Sequence, residues 1–348
     1  MSANVETRPL VTIGVPIYKR LHYLENVLQT VSMQDYPNID LLVSDNGMNG
    51  SKVQQALDSY YRAPYRFRQN RATVSISQHF NQLIHDARGD YFILLADDDE
   101  ITPNYVSALV DQLQRHPQAS VAISLQETID DSGKVIRRSR ETNPELLSGP
   151  DFIRAAWGTH ELGHESFSTL LARTDKLSIC GGFPDFWKGH ANDDALLIKL
   201  CLDNYVVLNT QCSYRKRFDE ASHGWALPIE DLAKGLRDFL HFLDADSSIT
   251  AYARLHPAEW SQCKYYLVDM AWKTYFYRWA GLYRDRLTTA QWVRAAFGMP
   301  FIRDYYRAVR QTLVGTAVSV ILGPIRKHFP GTYDWYRAAK RRHWNVRG

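Results

Sequence analysis

The chain has 348 residues, 45% hydrophobic and 23% charged, with a formal net charge of +3. This is ordinary globular composition, which excludes a disordered, collagen-like or disulfide-scaffold protein, and the length suits one large domain or one domain with a helical appendix. The charge is unevenly spread: from residue 284 onward thirteen Lys/Arg face three acids (Asp285, Asp304, Asp334), and the remainder is net acidic.

Met1 to Pro9 is polar and lacks the apolar core of a signal peptide. Leu10 to Val15 is an apolar, β-branched strand, stopped by Pro16 and the polar turn Tyr18-Lys19-Arg20. Tyr23 to Met33 carries Leu24, Val27, Leu28 and Val31 at helical spacing. Ile39 to Val43 is a second strand that ends in the turn Ser44-Asp45-Asn46-Gly47. Lys52 to Tyr61 is helical, Tyr65 to Arg68 is a third strand, and Gln69 to Thr73 is a polar loop. Ile76 to Ala87 is a further helix, closed by Arg88-Gly89-Asp90.

The next apolar run, Tyr91 to Ala96, reads as a buried strand, and Asp97, Asp98 and Asp99 follow it directly. Carboxylates crowded in this way repel one another unless a cation or a proton neutralises them. A hard divalent ion suits such oxygen ligands, and Mg²⁺ typically takes substrate phosphates in its remaining positions. Strands alternating with helices imply a parallel sheet, whose ligands bind at the carboxyl ends of the strands. Pro16-Tyr18, Asp45-Asn46 and Asp97 to Asp99 each lie at such an end, so they are expected to meet on one edge.

Pro103 to His116 is a helix, Ser120 to Gln126 a strand, and Asp130 to Pro150 a charged excursion, a hairpin or mobile loop. Phe167 to Ala172 and Tyr205 to Leu208 are strands. Ala195 to Leu202 is a helix opened by Asn192-Asp193-Asp194. From Pro228 the pattern becomes helix after helix, rich in Trp, Tyr and Arg, which sets a boundary near residue 226. No run reaches the roughly 18 apolar residues of a membrane-spanning helix. Leu313 to Ile325 comes nearest and suits an interface. Cys180, Cys201, Cys212 and Cys263 show no CxxC pair or metal-ligand spacing and are expected as reduced, mostly buried thiols of a cytoplasmic protein.

The order of VTIGVPIYKR, LLVSDNG, SISQHFNQLIHDARGDYFILLADDDEITP, GGFPDFWKGHANDDALLIKL and SYRKR resembles the family 2 inverting glycosyltransferases, of GT-A fold, over residues 9 to 225. The resemblance implies a mostly parallel nucleotide-binding sheet flanked by helices (residues 1–226) with a C-terminal α-helical extension (227–348). It implies a nucleotide-diphosphate sugar donor, Mn²⁺ or Mg²⁺, and one inverting displacement at the anomeric carbon. Pro16 and Tyr18 match the Pro-x-Tyr-Asn turn at the nucleotide, with Lys19 in place of Asn. Asp45 matches the acidic residue that hydrogen-bonds the base (uracil, thymine or guanine, hence UDP, GDP or dTDP). Arg71 lies in a loop that often carries a nucleotide-contacting Arg, and Asn81 falls at a common Asn before the metal strand. Counting back from Pro103 puts Ala96 where the metal motif has its first Asp. Asp97, Asp98 and Asp99 still supply an Asp-x-Asp, and whether Asp98 or Asp99 is the principal ligand stays open. The base is the Asp of a Glu-Asp pair opening a helix: Asn192 stands at the Glu position and Asp193 at the base, with Asp194 its rival.

Such a reaction needs cations to neutralise the departing diphosphate, and Arg217 within Tyr214-Arg215-Lys216-Arg217, or His223 beside the metal, is expected to help. Asp193 at a helix start also suits an N-cap, and Asp45 before Asn46-Gly47 a turn. His160, Glu161, His164 and Glu165 lack zinc-site spacing on a helix and are expected in an acceptor-side loop. Trp272, Tyr275, Tyr277, Trp279 and Trp292 among Arg278, Arg284, Arg294, Arg303, Arg307 and Arg310 suit a membrane-interface helix region, and equally a helical cap. The expected acceptor is a glycan or lipid-linked hydroxyl of the cell envelope, with peripheral contact on the cytoplasmic membrane face. Homo-oligomer contacts through the helical tail are compatible with this, and no nucleic-acid motif accompanies the basic charge. A catalytically silent nucleotide-sugar-binding or scaffolding protein is the alternative, because Ala96 and Asn192 depart from the pattern. A phosphohydrolase would need Thr or Val where Ile101 stands, and a nucleotidyltransferase a Gly-rich first loop.

Overall fold

The computed structural model describes residues 8–139, 145–159, 162, 169–218, 228–283 and 288. The chain forms two compact units, Met1–Arg254 and Leu255–Gly348. The division falls later than the change of pattern at residue 226.

In the first unit, β1 (Val11–Ile17) is buried along its whole length, as a central parallel strand covered on both faces must be. β2 (Ile39–Asp45) and β4 (Tyr91–Leu94) flank it in parallel, and β3 (Tyr65–Gln69) pairs in parallel with β2. The connecting helices are α1 (Leu24–Ser32), α2 (Ser51–Tyr60) and α3 (Ile76–His85). Helix α1 buries Leu24, Val27, Leu28 and Val31, the stripe expected from their spacing.

Beyond β4 the sheet becomes mixed. β5 (Glu100–Ile101), β6 (Ala119–Ile129), β7 (Val135–Arg138), β8 (Leu146–Ser148), β9 (Leu170–Arg173) and β10 (Tyr205–Arg217) complete it, in the order β3-β2-β1-β4-β9-β6-β10-β5. β9 runs antiparallel between β4 and β6, and β10 is parallel to β6 but antiparallel to β5. The charged excursion after Asp130 contains β7, which folds back on β6, and β8, which pairs with β10. β10 is longer than expected: after a register shift between Asn209 and Ser213 it continues through Tyr214-Arg215-Lys216-Arg217. That basic motif is therefore strand.

Helix α4 (Tyr105–Arg115) joins α1 and α2 in one hydrophobic cluster with the central strands. A second group comprises α3 on β1, α6 (Thr174–Cys180), and α7 (Asn192–Cys201) on β6. Between α4 and α6 lie a short helix, α5 (Gly149–Ile153), and a π-helical turn, Arg154–Gly158. After residue 226 come α8 (Ile229–Ala245) and α9 (Ser247–Leu255). Helix α8 packs on the 3-10 turn Trp187–Gly189 that precedes α7. Phe186 meets Phe239 and Phe242 edge-on, and Lys199 of α7 pairs with Asp246 at 3.1 Å.

In the second unit, α10 (Pro257–Tyr283) is described, with Trp260, Trp272 and Tyr275 buried. The side chains of Tyr277 and Trp279, and the residues Trp292, Arg284, Arg294, Arg303, Arg307, Arg310 and Leu313 to Ile325, lie outside what is described. Among the described residues no helix is long and apolar enough to cross a membrane. None of the four cysteines is in a disulfide.

Candidate active site

The carboxyl ends of β1, β2 and β4 meet on one edge of the sheet, as the sequence pattern requires. Pro16 is the penultimate, buried residue of β1, paired with Ser44 of β2. Tyr18 leaves the strand with an exposed ring, and the Lys19 ammonium lies 4.9 Å over it. The Tyr18 N–H reaches Asp97 Oδ2 at 3.5 Å, and its carbonyl accepts from Asn49 Nδ2 at 2.6 Å. The loop after β2 passes so close that a Cβ on Gly47 would lie 1.5 Å from the Tyr18 carbonyl oxygen, so no other residue fits there.

Asp45 is fully buried, and both of its oxygens are engaged by that loop. Oδ1 accepts from Gly47 N–H and Asn49 Nδ2, and Oδ2 from Gly50 N–H, each at 2.9 Å. Here Asp45 organises the loop, with Met48 held at φ 58°, and the turn reading describes its bonding. Asn46 locks a second loop alongside: its Oδ1 accepts from Val74 N–H and Asn70 Nδ2, and its Nδ2 donates to Val74 O. Arg71 stands exposed in the loop so fixed.

Asp97, Asp98 and Asp99 are all buried, but they do not converge. Arg20, on the turn after Tyr18, donates through Nη2 to Asp97 Oδ1 at 2.9 Å and through Nη1 to Asp98 Oδ2. Asp99 faces the other way. Its Oδ2 accepts the Tyr214 O–H at 2.6 Å and its Oδ1 the Arg217 N–H at 2.8 Å. Burial, reinforced by the charge of Asp98, pushes the Asp99 carboxyl up to about 7. Burial likewise raises Asp97 to about 6 against the pull of Arg20. Asp99 is thus engaged as an internal anchor of β10, and His223 lies outside the described residues.

Arg217, expected at the nucleotide, is also an internal residue. Its guanidinium donates to Asp98 O at 3.0 Å, Asp130 O at 2.6 Å and Glu100 Oε1 at 2.6 Å, and stacks 4.4 Å from the Tyr23 ring. Arg215 is held by Glu100 and Glu127, which leaves Lys216 as the exposed cation of the motif. Among the described residues no three His, Cys, Asp or Glu side chains form a group that holds a metal. Two adjacent buried carboxylates do fit Mg²⁺ or Mn²⁺, which are held through one or two carboxylates with phosphate oxygens in their other positions. Asp97 and Asp98 are that pair. Arg20 is the site residue that sequence reasoning missed; the signal was the adjacency of β1 and β4, which brings the first turn against the acidic one.

Asn192, Asp193 and Asp194 open α7, whose N-cap is Ala191 at φ 61° with no side-chain capping bond. Asp193 is therefore not the cap; it lies in the first turn, where the helix dipole favours a carboxylate. Asp193 is partly exposed, whereas Asp194 is buried, accepts from the Trp157 indole of the π-helical turn, and has no partner for Oδ1. Burial, and then the charge of Asp193, raises Asp194 well above the usual carboxylate range.

Three contacts tie this segment to α3. Asn192 Nδ2 donates to Ser77 Oγ at 3.0 Å, Ser75 Oγ to Asp185 at 3.2 Å, and Asn81 exchanges bonds of 2.8 and 2.7 Å with the Phe183 backbone. Asn81 is thus a strut beneath the segment that leads into α7, with both atoms of its amide engaged by the Phe183 backbone. The approach to α7 is strained: Lys188 has φ 55° and Gly189 φ 70°, where a Cβ would lie 2.2 Å from Ile76. Helix α8 braces it, with Asp238 and Asp231 accepting from the Trp187 backbone and indole at 2.7 Å each. Of the expected acceptor-side loop, His160, Glu161, His164 and Glu165 lie outside the described residues.

Residues 12–179 match the family model described as glycosyl transferase family 2. An uncharacterised protein of Sinorhizobium fredii is 26% identical over 199 residues, which are 56% of this chain and 20% of that protein. The abequosyltransferase of Salmonella typhimurium is 26% identical over 105 residues, 29% of this chain and 31% of that enzyme. The chain therefore spans about a fifth to a third of the length of these curated relatives. Among solved structures, residues 1–349 of S. aureus TarS in complex with UDP-GlcNAc share the fold with a TM-score of 0.62 at 18% identity, covering 86% of this chain and 81% of that one. The architecture is that of a GT-A glycosyltransferase.

Proposed function

We propose that this chain, which belongs to glycosyl transferase family 2 through residues 12–179, moves a sugar from a nucleotide-diphosphate sugar to a hydroxyl of a glycan or lipid-linked acceptor, with inversion at the anomeric carbon. The setting we infer is cell-envelope polysaccharide or glycolipid synthesis, in line with the sugar-transferring relative. The observation that carries the reading is the junction of the Tyr18 turn, the Asp45 loop and the Asp97–Asp98 pair on one sheet edge.

In this reading the nucleotide lies against the Tyr18 ring and the loop that Asp45 shapes, with Arg71 beside its phosphates. Mn²⁺ or Mg²⁺ held by Asp97 and Asp98 would neutralise the negative charge that grows on the departing diphosphate. Asp193 takes the proton of the acceptor hydroxyl, whose oxygen bonds to the anomeric carbon as the bond to the diphosphate breaks. Asp194, buried and turned onto the Trp157 indole, fixes the turn that precedes the base. Asn81, Ser77 and α8 hold the base segment against α3, which keeps the attacking hydroxyl oriented. We assign residues 1–226 as the catalytic part and 227–348 as a helical extension for membrane-surface, acceptor or oligomer contacts, its first helix bracing the base segment.

The test is a thermal-shift series with UDP, GDP, dTDP and CMP, with and without Mn²⁺ or Mg²⁺, since a ligand of the folded state raises apparent stability. A metal-dependent rise with one diphosphate is expected and names the donor class. No rise with any of them contradicts the reading and favours a scaffolding role.

A further inference from the structure

Arg20 bridges the two carboxylates assigned to the metal. One guanidinium nitrogen donates to Asp97 Oδ1 at 2.9 Å and another to Asp98 Oδ2. The two acids and their cation differ in freedom. The Asp97 and Asp98 side chains are 7% and 8% exposed, whereas that of Arg20 is 35% exposed. Asp97 is also held by the Tyr18 N–H. The carboxylates are fixed in the sheet edge and the cation reaches solvent, so the cation is the exchangeable member.

A guanidinium fork fits two phosphate oxygens as well as it fits carboxylate oxygens. A divalent ion needs the carboxylate oxygens that Arg20 engages, and two cations on one pair repel. A metal arriving alone must therefore displace the guanidinium from the pair. A metal arriving with a diphosphate offers the displaced fork a new anionic partner beside the old one.

We propose that Arg20 is the resident counter-cation of the Asp97–Asp98 pair: a divalent ion enters by displacing it, and the displaced guanidinium then pairs with the donor's diphosphate, so that metal and donor bind cooperatively. This rests on the nucleotide-sugar reading above. Coupling of this kind is reciprocal, each ligand tightening the other by the same factor. Removing Arg20 frees the carboxylates for the metal, removes a phosphate contact and abolishes the coupling.

The experiment measures Mn²⁺ binding by electron paramagnetic resonance of the free ion, on the full chain and on Arg20→Gln and Arg20→Lys, with and without UDP or GDP. Thermal unfolding in EDTA checks that each variant is folded. Arg20→Gln is expected to bind Mn²⁺ alone about tenfold more tightly than the parent, with nucleotide no longer tightening it. Its melting temperature is expected to fall in EDTA and to recover with Mn²⁺, because two buried acids have lost the cation they share. Arg20→Lys, a single point charge, is expected to lie between. Equal Mn²⁺ affinities, with nucleotide still tightening Mn²⁺ in both variants, would overturn the role of Arg20 and leave the donor reading standing. No Mn²⁺ binding by any form with either nucleotide would overturn the metal-assisted reading and this proposal with it.

Discussion

Asn192 donates its amide N–H to Ser77 Oγ at 3.0 Å, and both residues are buried. The contact joins the helix that carries Asp193 to the helix that follows the loop locked by Asn46. It links the two halves of the proposed site, the donor edge and the base. Loss of the amide in Asn192→Ala leaves a buried hydroxyl without its donor and is expected to cost about 1–2 kcal/mol. Urea unfolding checks that, and kcat should fall more than donor affinity, because the strut holds the proposed base and not the proposed nucleotide edge.

Asp45 accepts three N–H bonds from a single loop. Asp45→Ala removes a buried charge-assisted cluster, and we expect a stability loss of about 3 kcal/mol together with loss of nucleotide binding. Asp45→Asn keeps the shape but offers an NH₂ where Gly50 N–H or Gly47 N–H now donates, so it should fail nearly as badly. Nucleotide binding at parental affinity in a folded Asp45→Ala would show that the loop does not shape the pocket.

Arg217 and Glu100 form a buried pair, with side chains 1% and 8% exposed and a separation of 2.6 Å. Removing one partner of such a pair typically costs about 3–5 kcal/mol, because the other charge is left buried. Arg217→Ala is therefore expected to unfold at markedly lower denaturant, whereas Lys216→Ala, at an exposed position, should change stability little. A stable Arg217→Ala with impaired nucleotide binding would reverse this assignment.

The contrast between Asp45 and Arg217 on one side and the sheet edge on the other shows what the sequence can and cannot convey. Apolar runs and turn residues place strands at Leu10 to Val15, Ile39 to Val43 and Tyr91 to Ala96, within two residues of the observed ends, and a parallel arrangement of them forces their ends together. The partners of individual polar groups are set by pairings that sequence distance hides. Arg217 meets Glu100 because β10 runs antiparallel to β5, more than a hundred residues earlier. The same pairing turns Asp99 inward, onto Tyr214. The role of Arg20, two residues after Tyr18, depends on β1 lying beside β4, a pairing that sequence distance hides.

His79 of α3 sets a pH signature. Its Nε2 lies 2.9 Å from Ser44 Oγ and 3.2 Å from the Ser44 carbonyl oxygen, and burial lowers its pKa from 6.5 to about 4. A depressed folded-state value means that the unfolded chain binds the proton first. Its stability contribution is therefore complete above pH 6.5 and is lost as pH falls toward 4, by roughly 3 kcal/mol over that window. Melting temperature against pH, compared with His79→Gln, reads the difference directly: the variant should show a shallower fall between pH 6.5 and 4.

The proposed role of Asp193 is that of the base of a glycosyl transfer at this sheet edge. It is tested most directly by following nucleotide release from the donor sugar identified by thermal shift, for the parent, Asp193→Asn and Asp194→Asn, alongside donor affinity. We predict that Asp193→Asn binds donor like the parent but loses at least about a hundredfold in turnover, as removal of a general base does. Asp194→Asn, which keeps the shape of a buried side chain that accepts from Trp157, should retain most of its activity. Near-parental turnover by Asp193→Asn, with Asp194→Asn inactive yet folded, would contradict the assignment and move the base to Asp194.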